Sequence, residues 1–245
     1  MESESAIVLI THKPKENQLD FFNNFVNYKV YVIIDDNLNN YQQLKQKYLN
    51  ITFIQIENKI CYETGFIHSS LIGNNITCGF GWDKALYTLS TLEKEFKYVW
   101  FLEDDVFFYD ETTLQNLDMK YQKEDLLCNS TFEEGKLYEW LWNSIQINYT
   151  PPYYCGMMCM CRFTKNMLNS VKEYANKYKT LFFIEAMFPT LAMKNNLIVY
   201  KFPEELSTVT YNTKWNISDL NKYCLYHPMK DTSQYSQIRM GLHNK

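Results

Sequence analysis

The sequence predicts an α/β fold: a mixed, mostly parallel central sheet with helices on both faces. Short apolar, β-branched runs alternate with helix-patterned stretches through the first hundred residues, which is the signature of β-α-β units. The runs are apolar at successive positions, as in strands covered on both sides. Three of them also end in polar groups, at Thr11-His12, Asp35-Asp36 and Glu103-Asp104-Asp105. In open α/β sheets, ligands gather beyond the carboxyl ends of the strands.

Residues 6–12 (AIVLITH) form the first expected strand. A helix over 17–26 follows, with Leu19, Phe21, Phe22 and Phe25 on its apolar side. Residues 29–36 (KVYVIIDD) predict the second strand, 37–49 the second helix and 50–56 the third strand. The stretch 57–80 is polar, glycine-bearing and too long for an ordinary connector, so it is expected to be a functional loop. A helix over 82–96 carries Trp82, Ala85, Leu86, Leu89, Leu92 and Phe96 as a stripe. It leads into the fourth strand, 98–102, which ends in the acidic triplet.

Beyond Val106-Phe107-Phe108 the pattern is less regular. A helix is expected at 111–119 and a mixed stretch at 124–150 that holds Trp140 and Trp142. A buried strand is expected at 153–161, with Cys155, Met157, Cys159 and Cys161 on one face and Gly156, Met158 and Met160 on the other. Then come a helix near 164–178, an apolar segment 181–196, a strand at 197–202 and, from Pro203 on, loop wrapping back over the sheet.

With 245 residues, 46% of them hydrophobic, the chain suits one large domain. A net charge of −4 leaves no basic footprint for nucleic acid. No run of eighteen apolar residues predicts a membrane span. Met1-Glu2-Ser3-Glu4-Ser5 is polar and the apolar run Ala6–Ile10 is short for a signal peptide, so a cytoplasmic location is expected. Seven cysteines, an odd number, fit a reducing compartment. Cys155, Cys159 and Cys161 lack paired C-x-x-C zinc spacing.

Three adjacent carboxylates repel unless a cation sits among them. Hard oxygen ligands suit Mg2+ or Mn2+, which leave places for water and phosphate. A solvated acidic turn is the plain alternative, but this triplet stands between two apolar runs. Glu185 is the single carboxylate in LFFIEAMFP, and apolar surroundings raise a carboxyl pKa toward general-base territory. Helix capping or pairing with a lysine remains open for it. Pro189, four residues on, has no N–H for the Glu185 carbonyl, which predicts a kink. Asp36 suits either a ligand contact or an N-cap. Asp83 suits a helix N-terminus, and Lys84 a phosphate.

The apolar strand ending in Glu103-Asp104-Asp105, after three β-α units, resembles the DxD motif of GT-A fold glycosyltransferases. The layout is also similar to that of glycosyltransferase-like proteins of large DNA viruses. The resemblance implies a Rossmann-like GT-A domain over 1–245. Its nucleotide-sugar-binding half would be 1–108, and 109–245 would supply the acceptor half and a C-terminal metal and diphosphate segment. It implies Asp105 as a ligand to Mn2+ or Mg2+, with Glu103 facing the donor ribose or sugar and Asp104 beside it. Thr11, His12, Asp35 and Asp36 would form the nucleotide pocket, with Asp83 and Lys84 near the donor. In LYHPMK (225–230), His227 would be a further metal ligand and Lys230 would meet the diphosphate. Glu185 would deprotonate an acceptor hydroxyl, which makes the enzyme inverting. Trp140, Trp142, Tyr153 and Tyr154 would form a sugar-stacking surface. The implied partners are a nucleotide sugar, with UDP-sugars favoured, and a glycan or protein acceptor; the implied setting is the host cytoplasm or a virion. A nucleotidyltransferase would use the same pocket, but it usually carries a glycine-rich loop after the first strand, and THKPKEN has none. A non-catalytic sugar- or partner-binding protein on the same fold is the other alternative.

Overall fold

A computed structural model describes residues 4–70, 79–129, 131–133, 141–210 and 215–243. Its central sheet has seven strands: β1 (Ser5–Thr11), β2 (Tyr28–Ile34), β3 (Ile51–Ile54), β4 (Val99–Glu103), β5 (Leu126–Cys128), β8 (Met160–Phe163) and β9 (Val199–Lys201). Their spatial order is β3-β2-β1-β4-β8-β5-β9. All run parallel except β8, which is antiparallel to both β4 and β5. Thr11 pairs with Ile34 and Ile10 with Glu103, so the carboxyl ends of β1, β2 and β4 lie flush. The three polar ends read from the sequence therefore share one edge of the sheet.

Successive residues of β1 enter different cores. Ala6, Val8 and Ile10 pack with α4 (Gly81–Thr91), α6 (Lys165–Tyr178) and α7 (Ile184–Lys194). Ile7 and Leu9 pack with α1 (Glu16–Phe22) and α5 (Glu111–Lys120). The second helix is the short α2 (Gln42–Lys47). No helix among the described residues is long and apolar enough to cross a membrane.

Three expectations are corrected. The stretch 57–80 is not all loop, because α3 (Asn58–Thr64) occupies its first part and ends at Gly65, whose φ of 83° suits a residue without Cβ. The continuous strand 153–161 is broken into β7 (Tyr154–Cys155) and β8. Between them the chain bends, so Cys155, Met158 and Cys161 face one core while Cys159 and Met160 face the other. β7 pairs with β6 (Phe132–Glu133), outside the main sheet. The C-terminal stretch is not only loop. It forms the parallel pair β10 (Ser207–Val209) and β11 (Leu225–His227), followed by α8 (Tyr235–His243).

That C-terminal return is tied to the acidic triplet. Phe107 and Tyr226 exchange two backbone hydrogen bonds of 2.9 Å, and Met229 N–H donates to the Asp105 carbonyl at 2.7 Å. Phe107, Tyr226, Met229, Tyr235, Ile238 and Leu242 close a third small core beneath them. The Arg239 guanidinium, 3.5 Å from the Phe21 ring centroid, clamps α8 to α1 and donates to the carbonyls of Phe108 and Tyr109.

Candidate active site

Glu103 ends β4, Asp105 lies two residues on, and β11 delivers His227. One ligand atom from each lies within 4.8 Å of the others. His227 Nε2 is 3.0 Å from Asp105 Oδ1 and 3.4 Å from Glu103 Oε2. The Lys230 ammonium pairs with the other Asp105 oxygen. Burial alone would raise the Asp105 pKa, but hydrogen bonds from His227 and Lys230 outweigh it and hold the carboxyl at about 2. Burial likewise pulls His227 down, yet its hydrogen bonds, to Asp105 first, carry it to about 11. Asp105 is thus a carboxylate with a hydrogen-bond partner on each oxygen. Two carboxylates and an imidazole at the open end of a sheet are a donor set that fits Mn2+ or Mg2+. Asp105 and His227, the two residues expected as metal ligands, lie together. Glu103, expected to face the sugar, joins them.

Glu103 and Asp105 border a cleft of about 320 Å³ that Thr11, His12, Asp35, Ser70, Trp82 and Lys230 help to line. Thr11 Oγ1 donates to Asp104 Oδ2 at 2.7 Å, so the middle carboxylate of the triplet braces the end of β1. His12 is exposed, and its Nδ1 lies 2.6 Å from the Asp35 carbonyl. Asp35 has both oxygens engaged, one by Gly81 N–H at 2.9 Å and one by Lys84 Nζ at 2.6 Å. Lys84 is only 1% exposed, so its ammonium faces Asp35 and not the cleft.

Asp36 and Asp83 lie apart from the cleft lining. Asp36 accepts from the Tyr41 hydroxyl at 2.6 Å, from the Asn39 amide and from Leu38 N–H at 2.8 Å, and these bonds, Tyr41 first, hold its pKa well below the usual range. It closes the turn that follows β2; the N-cap position of α2, the alternative open to it, is held by Tyr41 instead. Asp83 is fully buried and accepts from Ser69 N–H and Phe80 N–H at 2.9 Å each, closing the first turn of α4. Burial raises it to about 6. Both acids serve the backbone.

Glu185 starts α7, half-buried, with no donor to its carboxylate among the described residues. Burial, and then the nearby Glu103 charge, raises its pKa to about 7. Because Pro189 cannot donate to the Glu185 carbonyl, that oxygen accepts Gly156 N–H at 2.8 Å, from the bend between β7 and β8. Trp142 is buried in the core and stacks at a tilt on Tyr153 at 6.0 Å. Trp140 lies outside the described residues.

Sequence reasoning missed Trp82 at the site, because it reads as part of the α4 core stripe. Its indole N–H donates to Glu103 Oε1 at 2.9 Å. The one available hint was its place in the first turn of the helix that follows the long loop.

No protein-family model matches the chain, and no curated protein matches it in sequence. Solved structures match it in fold. The galactosyltransferase LgtC, in complex with donor and acceptor sugar analogs, superposes with a TM-score of 0.50 at 11% identity, over 97% of this chain and 96% of that one. An active-site mutant of LgtC gives 0.51 at 11% identity, over 96% and 94%. Mouse xyloside xylosyltransferase 1 gives 0.46 at 10% identity, over 95% and 99%. The 4-diphosphocytidyl-2C-methyl-D-erythritol synthase of Anaerococcus prevotii gives 0.46 at 11% identity, over 99% and 96%. The LgtC superpositions span nearly the whole of both chains. The chain has the Rossmann-like GT-A fold of glycosyltransferases.

Proposed function

We propose that this chain is a metal-dependent glycosyltransferase that moves a sugar from a nucleotide-diphosphate donor, a UDP-sugar by preference, to an acceptor hydroxyl. The observation that carries this reading is the meeting of Glu103, Asp105 and His227 beside Lys230 at the carboxyl edge of the sheet. These three residues would hold Mn2+ or Mg2+, and the bound ion would supply charge stabilisation to the departing diphosphate. In this reading the triplet is a DxD-type motif whose middle residue braces β1. Lys230 is the most exposed of the group, with 64% of its side chain accessible, and it turns from Asp105 to a phosphate oxygen. Thr11, His12 and Asp35 shape the nucleotide end of the cleft. Residues 1–108 serve the donor and 109–245 the acceptor, with 227–230 returning to the donor side.

Glu185 takes the proton of the acceptor hydroxyl. A carboxyl with a pKa near 7 is matched to that work at neutral pH. In-line attack by that hydroxyl on the anomeric carbon, with the diphosphate leaving from the opposite face, inverts the centre. The acceptor, a glycan or a protein, approaches past Tyr153 and Tyr154.

The test is release of nucleoside diphosphate from a panel of nucleotide sugars, with Mn2+ or with chelator, by wild type and Asp105→Ala. Turnover is expected only in wild type with metal. The variant keeps the Asp105 carbonyl that anchors Met229. Equal turnover by both proteins, or in chelator, overturns the metal site. Pyrophosphate release from a nucleoside triphosphate and a sugar phosphate would instead support the nucleotidyltransferase reading. Metal-dependent binding without any turnover would support a sugar-binding protein.

A further inference from the structure

We infer that Trp82 is a positioning residue for the metal centre: its indole N–H holds one oxygen of Glu103 and leaves the other free to ligate a divalent cation. This rests on the metal site proposed above and adds a residue to it. Glu103 is the least constrained member of the triad, since a glutamate at a strand end has three rotatable bonds. Its two oxygens are already distinguished. Oε1 accepts from Trp82 Nε1 at 2.9 Å, whereas Oε2 lies 3.4 Å from His227 Nε2, on the side where the three ligand atoms converge.

An indole suits this task chemically. Its N–H is a donor only and never ionises, so it orients a carboxylate without competing for the metal. A lysine there would add a rival positive charge, and a histidine would offer another ligand nitrogen. Outer-shell donors of this kind typically account for 10–100-fold of metal affinity.

The indole is also held firmly. Trp82 is 5% exposed, stacked on Phe101 with centroids 5.7 Å apart and tilted against Phe188 at 5.8 Å. The residues on either side of it are pinned, Gly81 by its N–H to Asp35 and Asp83 by Ser69 and Phe80. A Cβ on Gly81 would stand 2.7 Å from Ile10 Cγ2, so the start of α4 sits directly on the end of β1, next to β4. Asp35, Lys84 and Asp83, which the sequence suggested as donor contacts, thus form the frame that fixes the Trp82 ring.

The experiment is Mn2+ calorimetry on wild type, Trp82→Phe and Phe188→Leu, with thermal unfolding of each. A Kd raised about 10–100-fold in Trp82→Phe, and by a clearly smaller factor in Phe188→Leu, supports the inference, because Phe188→Leu loosens the same packing but keeps the indole. Wild type that binds Mn2+ with Trp82→Phe within twofold of it overturns the positioning role and leaves the metal site standing. Wild type that binds no Mn2+ overturns both. A second readout needs no variant. The Trp82 indole N–H resonance should move when Mg2+ loads Glu103. A resonance that stays still while Mg2+ binds overturns the inference even if Trp82→Phe does not fold.

Discussion

At the residue scale the informative feature is a carboxylate with no donor among the described residues. Glu185 sits where an ordinary surface glutamate would ionise near 4.5, yet burial and the Glu103 charge raise it to about 7. The native state therefore keeps a proton that the unfolded chain loses. Below the ordinary carboxylate range both states are protonated and Glu185 does not affect stability. As pH rises from 4.5 toward 7 the unfolded chain ionises first, and native stability falls. Above 7 the loss is complete and constant. Glu185→Gln removes this penalty, so the variant should match wild type in Tm at pH 4 and exceed it at pH 8. Scanning calorimetry across that range checks the sign. In transfer assays the same variant should keep donor affinity and lose roughly two to four orders of magnitude in rate, the usual worth of a general base. Transfer within a few-fold of wild type would make Glu185 structural.

At the element scale α7 shows how a proline organises its neighbours. Pro189 frees the Glu185 carbonyl, Gly156 fills it, and one turn on Thr190 Oγ1 both accepts from Tyr154 N–H and donates to the Tyr154 carbonyl, at 3.0 Å each. β7 is thereby held to a helix through a side chain, outside the main sheet. Thr190→Val keeps the shape but removes both bonds. It should cost about 1–3 kcal/mol, the usual penalty for stranding buried backbone groups. Denaturant titration measures that loss, and an unchanged midpoint would show that β7 needs no such anchor. The missing proline N–H was legible in the sequence. The replacement donor was not, because it comes from residue 156, on a different part of the chain.

At the scale of the whole molecule, the edge of the sheet opposite the cleft is held by a buried ion pair. Arg162, fully buried in β8, donates to Asp118 at 3.1 Å and to the carbonyls of Tyr121 and Glu124. Asp118 also accepts from Tyr28 and Trp100, so β2, β4, α5 and β8 meet on one carboxylate. Arg162→Met strands that carboxylate and should cost about 3–5 kcal/mol. Arg162→Met with Asp118→Asn should lose less than the two single changes summed, since the neutral pair has no charge to desolvate. Denaturant midpoints of the four proteins give the coupling, and simple additivity would count against the network.

The sequence by itself determined the layers and the polar edge. Hydrophobic periodicity is local, and in parallel β-α units it dictates which strand ends face the same way, so Thr11, Asp35 and Glu103 could be set on one edge from pattern alone. The triplet's need for positive charge was equally legible, because like charges between apolar runs repel, and His227 and Lys230 reach Asp105 in the fold. Only the tertiary structure decided the division of labour. Asp36 and Asp83 went to nearby backbone N–H groups that needed acceptors. Lys84 was drawn under Asp35 because a buried ammonium requires a partner. His227 and Lys230 reached Asp105, more than a hundred residues away in sequence, because Phe107 and Tyr226 pair their backbones and bury their rings in a shared small core. Contacts of that range depend on which surfaces meet after the sheet has formed, and no periodicity within a short window records them.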